Sequence, residues 1–583
     1  MRRAAVQAFR SARRPVLRKF VSGHGLGHRS ITSGRDRTTT ILTSSMQLRT
    51  WTGALVAAAV ASGAWYTFRP SGATVTSATT QSRSITSTSA STETTRRALV
   101  VDQNSIYTGT ITGEGPLSKD TDDYGRKIVE MLTPEQATAK LRKNEESWLI
   151  GRGHGVVRYD VVQCESNFPI EDDHAEKIIE VPSNLAVTES GAAPSDWMFW
   201  GVFDGHSGWV TSAKLRQTLI SFVARELNAT YKAALEDPAL HFPSSAAIDQ
   251  AIKTGFLRLD HEIVHDSVAK VKKAQSKAAA AELLAPALSG SCALLSFYDS
   301  KSKLLRVACT GDSRAILGRR GPNGKWTATQ LSEDQTGSTE SEVERLRREH
   351  PGEPNVVRNG RILGGLEPSR AFGDAYYKWT MTTIKELKES YFARTPRDYF
   401  KSPPYVTAEP VVTTTKVEPE KGDFVVMATD GLWEMLTNEE VVGLVGQWID
   451  AQGGVDGQNA QTSSWLKSWF SSEKPLPIEQ HGGPDKTGQK APIRQRQWGM
   501  KGPTSDRFVI EDKNAATHLI RNALGGKDQD QLSALLTLPS PFSRRYRDDL
   551  TVEVIFFGEG TVTGNVTLNK EASATADEIK SKL

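Results

Sequence analysis

The sequence has few cysteines, which limits the kinds of site that it can build. Three occur in 583 residues, Cys164, Cys292 and Cys309, and no two have the spacing of a metal-binding pair. So small and scattered a set excludes a disulfide framework and a cysteine zinc site. Cys292 and Cys309 lie in strand-like runs, which predicts buried free thiols.

The chain also lacks a large excess of charge of either sign. It has 72 lysines and arginines against 68 acids, a formal net charge of +4, and much of the excess lies near the N-terminus. Proteins that bind nucleic acid usually present a basic stripe or groove with aromatic residues, and the sequence has no such pattern. We therefore expect no nucleic-acid partner, and a metal-dependent nuclease is poorly supported.

The N-terminus is poor in acids and rich in arginine. Residues 1–50 contain a single acid, Asp36, a composition that predicts a mitochondrial presequence read by the import machinery; a disordered basic tail is the alternative. Residues 51–68 are apolar and uncharged between Arg49 and Arg69, which predicts a short transmembrane or stop-transfer segment. Together they predict arrest in the mitochondrial inner membrane, with the rest of the chain facing the intermembrane space. Import into the matrix is the alternative.

Two segments follow before the first strand-like run. Residues 69–98 are dominated by Ser, Thr and Ala, which predicts a flexible linker. Residues 99–145 form an N-terminal extension, in which Thr133, Pro134 and Gln136 have the pattern of a capped helix start.

Two C-terminal segments also interrupt the pattern of strands and helices. Residues 451–505 are rich in Gly, Gln, Ser and Pro and are predicted to be an insertion too polar to build a core. Residues 561–583 form a polar tail that ends in Ser581-Lys582-Leu583, the peroxisomal import signal. The tail therefore predicts binding to the peroxisomal import receptor and delivery to peroxisomes as well as mitochondria.

Acids recur at the ends of apolar strands. The run from Met198 to Phe203 ends on Asp204, Gly205 and His206, and three further apolar runs end or begin at the acids Asp312, Asp430 and the pair Asp548–Asp549. A single such motif could be an ordinary turn after a strand. If the four strand ends meet at one rim, however, their carboxylates repel one another unless cations neutralise them. Oxygen ligands favour Mg or Mn.

These motifs occur in an order that is typical of one enzyme family. The segments Val202–Gly208, Gly290–Cys292, Thr310–Arg314, Ser369–Asp374, Ala428–Glu434 and Asp548–Val552 resemble, in sequence order, the motifs of the metal-dependent serine/threonine protein phosphatases of type 2C. The resemblance covers residues 146–560, the predicted phosphatase domain. Within the family, Glu344–Pro351, Thr407–Pro410 and Asn514–Leu524 are most similar to the mitochondrial pyruvate dehydrogenase phosphatase branch and its fungal relatives.

The resemblance implies a fold and a set of metal ligands. The expected fold class is α+β, a four-layer αββα sandwich of two antiparallel β-sheets flanked by helices, preceded by the N-terminal targeting and membrane segments. Two Mg or Mn ions would be bound, and a third ion more weakly. The implied ligands are Asp204 between the two ions, the Gly205 carbonyl, Asp430 and Asp548, with Glu171 and Asp172 holding metal-bound water and Asp312 and Glu434 at the third site. Glu434 stands where family members usually have Asp.

Three further residues receive roles from the resemblance. His206 would be the general acid, acting beside Asp204 in the catalytic motif. Asn167 is the expected substrate-binding residue, because it stands where most family members have an arginine that binds the substrate phosphate; the pyruvate dehydrogenase phosphatase branch has the same Asn. Asp549, usually Asn in the family, would orient the neighbouring metal ligand. The implied reaction is hydrolysis of phosphoserine or phosphothreonine in proteins by a water activated between two metals.

Two alternatives to this activity remain open in the sequence. A catalytically inactive binding or scaffold module would normally lack a core acid, but Asp204, Asp430 and Asp548 are all present. The segment His261-Glu262-Ile263-Val264-His265 has the spacing of zinc peptidases, yet no third ligand stands out downstream. The phosphatase is therefore the favoured hypothesis, with an organellar phosphoprotein, pyruvate dehydrogenase among the candidates, as its substrate.

Overall fold

The computed structural model describes most of the chain after the predicted linker. The described residues are 95–102, 106–113, 115–117, 120–181, 195–237, 242–397, 399–453, 476–479 and 505–574. The predicted presequence, the apolar segment 51–68 and the C-terminal Ser581-Lys582-Leu583 lie outside them. No helix in the described part of the chain has the length and apolarity that a bilayer crossing requires.

Twenty strands form the β-structure of the described residues. In chain order they are β1 (Thr95–Val101), β2 (Ile106–Thr112), β3 (Lys127–Glu130), β4 (Glu146–Ile150), β5 (Val156–Cys164), β6 (Asp173–Val181), β7 (Ser195–Phe203), β8 (Gly205–His206), β9 (Gly290–Ser291), β10 (Ala293–Asp299), β11 (Leu304–Thr310), β12 (Arg314–Arg320), β13 (Trp326–Gln330), β14 (Val357–Arg358), β15 (Arg361–Ile362), β16 (Phe372–Gly373), β17 (Val411–Lys416), β18 (Phe424–Ala428), β19 (Leu550–Phe557) and β20 (Val566–Leu568).

The described residues also form twelve α-helices. They are α1 (Pro134–Arg142), α2 (Val210–Glu236), α3 (Ser245–His261), α4 (Ser267–Ala274), α5 (Lys277–Leu283), α6 (Ala285–Leu288), α7 (Glu340–Glu349), α8 (Met381–Ser390), α9 (Asp430–Trp433), α10 (Asn438–Gln452), α11 (Ala515–Leu524) and α12 (Gln529–Thr537). A π-helical turn, Glu262–Asp266, joins α3 to α4, and a 3-10 turn, Ser543–Arg545, precedes β19.

Two antiparallel sheets carry the domain. One has five strands in the order β17-β11-β10-β7-β6, and the other has seven in the order β13-β12-β18-β19-β5-β4-β20. Strand β7, next to the edge strand β6, and β19, the middle strand of the larger sheet, are buried along their whole length, because both faces of each sheet are covered. Such strands appear in the sequence as continuous apolar runs rather than as an alternating pattern.

The burial pattern of β7 shows the order of the layers. Met198, Trp200 and Val202 face a core that also includes residues of β5, β18 and β19, and so lies between the two sheets. The alternate residues of β7 face a second core shared with helices α2 and α3, since successive side chains of a strand point to opposite faces. A third core joins the seven-stranded sheet to α10 and α11. The predicted arrangement of helix, sheet, sheet and helix layers is therefore present.

The N-terminal extension forms a small sheet of its own. Strands β2, β1 and β3 pair in that order, and Leu99, Val101 and Met131 pack against Leu538, just after α12. Strand β1 begins at Thr95, so the last residues of the segment predicted as a linker belong to this sheet. The composition of the segment did not indicate it, because β1 depends on pairing with β2 and β3.

Local signals at helix starts were accurate. The Thr133 hydroxyl accepts a hydrogen bond from the backbone N–H of Gln136, and the Gln136 side chain accepts one from the backbone N–H of Thr133. These two bonds confirm the predicted capping box of α1.

Part of the predicted insertion packs on the domain. Within it, the described residues 476–479 include Ile478, which pairs with Trp326 at the start of β13 and is buried.

Candidate metal centre and active site

Strand ends bring three predicted acids together. Asp204 follows β7, Asp312 lies in the turn between β11 and β12, and Asp430 begins α9 directly after β18. One carboxylate oxygen from each lies within 4.8 Å of the others. These strands belong to different sheets, so the acids meet only because the two sheets end at a common rim.

The electrostatics of this cluster call for a cation. Burial, and then the negative charges of Asp430, Asp172 and Asp548, raise the pKa of Asp204 well above its ordinary value. Burial and the charge of Asp430 raise the pKa of Asp312 to about 7. The Asp430 Oδ1 atom is buried and has no hydrogen-bond donor among the described residues. Because this donor set consists of carboxylate oxygens with an uncompensated acceptor, the residues fit a hard divalent ion such as Mg or Mn.

Gly205 is required by a close approach of the backbone. A Cβ atom at this position would lie 2.1 Å from the carbonyl oxygen of Glu171, so no larger residue fits. The carbonyl of the preceding Asp204 accepts a hydrogen bond from the N–H of Cys292 at 2.8 Å. The turn that carries the predicted backbone ligand is therefore fixed by neighbouring backbone on both sides.

Asp172 lies beside the cluster between the ends of the two sheets. It is 4 % exposed, and its Oδ2 atom accepts hydrogen bonds from the hydroxyls of Thr429 and Thr551, both at 2.9 Å. Burial, followed by repulsion from Asp549 and Asp430, raises its pKa well above the ordinary value. These two hydroxyls hold the carboxylate in one orientation beside the predicted metal site.

Asp549 organises the loop before Asp172. Its carboxylate accepts hydrogen bonds from the backbone N–H groups of Ser166, Asn167 and Glu171. The Asn167 side-chain amide also donates to it, at 3.1 Å. The same amide lies 3.4 Å from Glu171 Oε2. Asn167, predicted to bind substrate, thus uses its amide to fix this loop.

Asp548 is paired with an arginine that the sequence analysis missed. Arg544, in the 3-10 turn before β19, forms an ion pair with Asp548. Burial would lower the pKa of Arg544, but the charges of Asp548, Asp430 and Asp204 raise it. Its side chain is still 51% exposed, so a guanidinium lies beside the acids at the edge of the solvent. In the sequence, this ion pair was indicated only by the position of Arg544 four residues before Asp548.

His206 has an acidic partner. Its Nε2 atom lies 2.6 Å from Oδ2 of Asp374, a residue quoted in the family motif but given no role. Burial alone would lower the pKa of His206, yet the charge of Asp374 and their hydrogen bond raise it above the ordinary value. The pairing of β8 and β16 with β9 brings the two together. A Cβ on Gly290 would lie 2.1 Å from His206 Nε2, so this strand position needs glycine.

The remaining candidates lie apart from the central cluster. Glu434 follows α9, and its N–H donates to the Asp430 carbonyl; its charge interacts with Arg544. His261 and His265 stand at the junction of α3 with the π-helical turn, with ring centroids 5.0 Å apart. Among the described residues they belong to no cluster that could hold a metal ion.

Comparison with known proteins gives the class of this site. The sequence profile of the family Protein phosphatase 2C matches residues 176–464. A mitochondrial (pyruvate dehydrogenase (acetyl-transferring))-phosphatase 1 of Saccharomyces cerevisiae is 43% identical over 495 residues, covering 81% of this chain and 83% of that protein. A protein phosphatase 2C homologue of Schizosaccharomyces pombe is 46% identical over 426 residues, covering 73% and 85%. The mitochondrial (pyruvate dehydrogenase (acetyl-transferring))-phosphatase 1 of Bos taurus is 32% identical, covering 74% and 84%.

The chain therefore belongs to the protein phosphatase 2C family. As a member it is a protein serine/threonine phosphatase, and the predicted family resemblance is confirmed. The family is metal-dependent, and the acidic cluster provides ligands for such ions.

Proposed function

We propose that this chain hydrolyses phosphoserine and phosphothreonine in mitochondrial phosphoproteins with two Mg or Mn ions, and that pyruvate dehydrogenase is a substrate. The observation that carries the proposal is the convergence of Asp204, Asp312 and Asp430 on one point, with an orphaned buried oxygen on Asp430. The similarity to two phosphatases named for pyruvate dehydrogenase supports the substrate.

Each residue of the site has a separate task in this mechanism. Asp204, the Gly205 carbonyl, Asp430 and Asp548 would hold the two ions, and Asp312 and Glu434 would contribute to a third. When bound, these ions lower the pKa of a coordinated water and neutralise phosphoryl oxygens. Asp172 and Glu171 orient water beside them. Asp172 is restrained by the hydroxyls of Thr429 and Thr551.

His206 supplies the proton that the leaving group needs. As the bond between phosphorus and the serine or threonine oxygen breaks, an alkoxide forms that must be protonated. His206 is held by Asp374 in one orientation, and its raised pKa keeps the imidazolium populated near neutral pH. Asp374 orients this proton donor and stabilises its charged form.

Arg544 provides a positive charge where the substrate phosphate would enter. It is half exposed and paired with Asp548. A guanidinium binds phosphate oxygens through paired hydrogen bonds, whereas the Asn167 amide is engaged with Asp549. We therefore assign phosphate binding to Arg544, and we assign Asn167 to the loop that carries Glu171.

We base the proposed location on three sequence signals, the presequence, the apolar segment 51–68 and the C-terminal tripeptide, which all lie outside the described residues. The mitochondrial names of two relatives support it. The apolar segment 51–68 favours the inner membrane and the intermembrane space, whereas pyruvate dehydrogenase as a substrate favours the matrix. The C-terminal tripeptide adds a peroxisomal fraction. A fluorescent protein placed within the predicted polar insertion 451–505, so that both termini stay free, followed by protease protection of isolated mitochondria, distinguishes these compartments. If the fusion is excluded from mitochondria, the proposed location is wrong.

The substrate proposal is tested with phosphorylated pyruvate dehydrogenase. The purified chain should release phosphate from it in Mg or Mn and do so faster than from phosphorylated casein at equal phosphate concentration. Arg544→Gln should slow both reactions. Equal rates on the two proteins would refute the preference for pyruvate dehydrogenase and leave a general phosphatase.

A further inference from the structure

A second cluster of potential metal ligands lies between the two sheets. His174 and Glu176 are on β6 and Glu553 is on β19, and one ligand atom from each lies within 4.8 Å of the others. His174, Glu176 and Ile178 occupy alternate positions of β6 and so lie on the same face of the strand. Ile178 packs against the core between the sheets, so His174 and Glu176 face that space too. This group, the His174–Glu176–Glu553 cluster, uses no residue of the catalytic cluster.

Glu553 is the unusual member. It is 0 % exposed, and in the described part of the chain neither of its carboxylate oxygens has a donor group, although the Glu176 carboxyl lies within hydrogen-bond reach. Its neighbours Val552 and Val554 face the helix side of the sheet, so Glu553 points into the space between the sheets. A buried carboxylate without a donor costs several kcal/mol, so Glu553 requires either a bound cation or a proton.

The other two members supply suitable donors. His174 Nδ1 lies 2.5 Å from Glu176 Oε1, and their side chains are 9% and 19% exposed. Trp200 lies opposite Glu176 in the pairing of β6 with β7, and its buried indole N–H has no acceptor in the part of the chain that the structure describes. That N–H cannot bind a cation but can donate to a carboxylate or to a water on it.

We propose that His174, Glu176 and Glu553 bind one divalent transition-metal ion, separate from the catalytic ions. Metal ions hold such nitrogen and oxygen ligands at about 2.0–2.2 Å, so atoms within 4.8 Å of one another can share an ion after small side-chain adjustments. The imidazole favours Mn, Fe or Zn over Mg or Ca. Two carboxylates and a neutral imidazole balance the charge of the ion in this buried place. The ion would tie β6 to β19 and so join the two sheets behind the catalytic rim.

A proton is the competing occupant. Burial and the charge of Glu176 raise the pKa of Glu553 well above its ordinary value, so a protonated Glu553 could donate to Glu176. Glu553→Gln distinguishes a bound metal ion from a bound proton. The glutamine amide can donate a hydrogen bond as a protonated carboxyl does, but it is a poor metal ligand. Glu553→Val is the second variant, since an apolar residue of suitable size can replace an unpaired buried acid without loss of stability.

The test measures bound metal in the full-length protein after incubation with Mn alone or Zn alone and dialysis. The wild type should retain one more ion per chain than Glu553→Gln, Glu176→Gln or Glu553→Val. Glu180→Gln is the matched control, because Glu180 is an exposed acid of the same strand β6, and it should retain as much as the wild type.

Pulsed electron paramagnetic resonance of the Mn-loaded protein identifies the site directly. The catalytic ligands proposed above are oxygens, so coupling of Mn to a nitrogen nucleus reports His174. The coupling should persist in His206→Gln and disappear in Glu553→Gln. Equal metal content in the wild type and Glu553→Gln, with no nitrogen coupling in either, would overturn the proposal and assign the cluster to a shared proton. Either result is independent of phosphatase activity.

Discussion

His206 Nε2 and Asp374 Oδ2 lie 2.6 Å apart, although 168 residues separate them in the chain. This pair links the motif that carries Asp204 to the segment that follows α7. Because Asp374 holds the imidazole and raises its pKa, loss of either side chain should impair proton donation to the leaving group.

Asp374→Asn and His206→Gln should therefore lower kcat on a phosphoserine peptide by about a hundredfold, the lower range for general acid catalysis. On p-nitrophenyl phosphate, whose leaving group needs no proton, the loss should be much smaller. Steady-state kinetics on both substrates give the comparison. Equal losses on the two would show that the pair acts in folding or metal binding and not as a proton donor.

Arg544 and Arg545 form a matched pair for testing phosphate binding. Both belong to the same 3-10 turn, and Arg544 forms an ion pair with Asp548. Arg545 instead lies over the Phe542 ring at 5.7 Å.

Arg544→Gln should raise KM for a phosphopeptide about tenfold, since a hydrogen bond to a charged group contributes about 1.5–3 kcal/mol. Arg545→Gln should change KM less than twofold. Isothermal titration with inorganic phosphate in the presence of Mn checks the same interaction without turnover. If both variants bind phosphate as the wild type does, Arg544 serves only to balance the charge of Asp548.

Glu342 anchors the segment before Asp374 to α7. It accepts hydrogen bonds from Arg345 and Arg370, and from the Ser369 hydroxyl, each at 2.7 Å. Burial would raise the pKa of Glu342, but the two guanidinium groups lower it to about 2. Glu342→Gln leaves both cations without their shared partner and should lower the free energy of unfolding by about 3 kcal/mol at pH 7.

The pH dependence of this effect follows from the sign of the shift. The folded pKa of Glu342 lies below the unfolded value of about 4.3, so its stabilising contribution is complete above that value and is lost as pH falls toward 2. Urea unfolding at pH 7 and pH 3 should show the difference between the wild type and Glu342→Gln shrinking at the lower pH. Glu349→Gln, which removes a more exposed partner of Arg345, should cost less than about 1 kcal/mol at either pH. A constant difference for Glu342→Gln would contradict the ion-pair account.

The sequence predicted those parts of the molecule that local patterns specify. Asp204, Asp312 and Asp430 follow apolar strands, and the resemblance of their motifs to those of one family implied the layered fold. Thr133 and Gln136 specified a helix start through contacts within four residues. Each motif, like the helix start, is a short segment that can be recognised without knowledge of distant pairing.

Residues whose roles depend on distant contacts were not found in this way. Asp374 was quoted within a motif, but its partner His206 is known only from the pairing of three short strands. Glu553 occupies a position in an otherwise apolar strand and is unremarkable until β6 places His174 opposite it. The hydrogen bond of the Asn167 amide to Asp549, 382 residues later in the chain, was likewise not indicated by the sequence.

The central claim is that the clustered acids bind the ions that drive phosphate release. The most direct test compares the purified chain with Asp204→Ala and Asp430→Ala on a phosphoserine peptide, in Mn, in Mg and in EDTA. The wild type should turn over only with metal. Each variant should lose about a thousandfold in kcat/KM while remaining folded by circular dichroism, because a catalytic metal contributes several kcal/mol to the transition state. Wild-type turnover that persists in EDTA, or folded variants that keep their activity, would contradict the account.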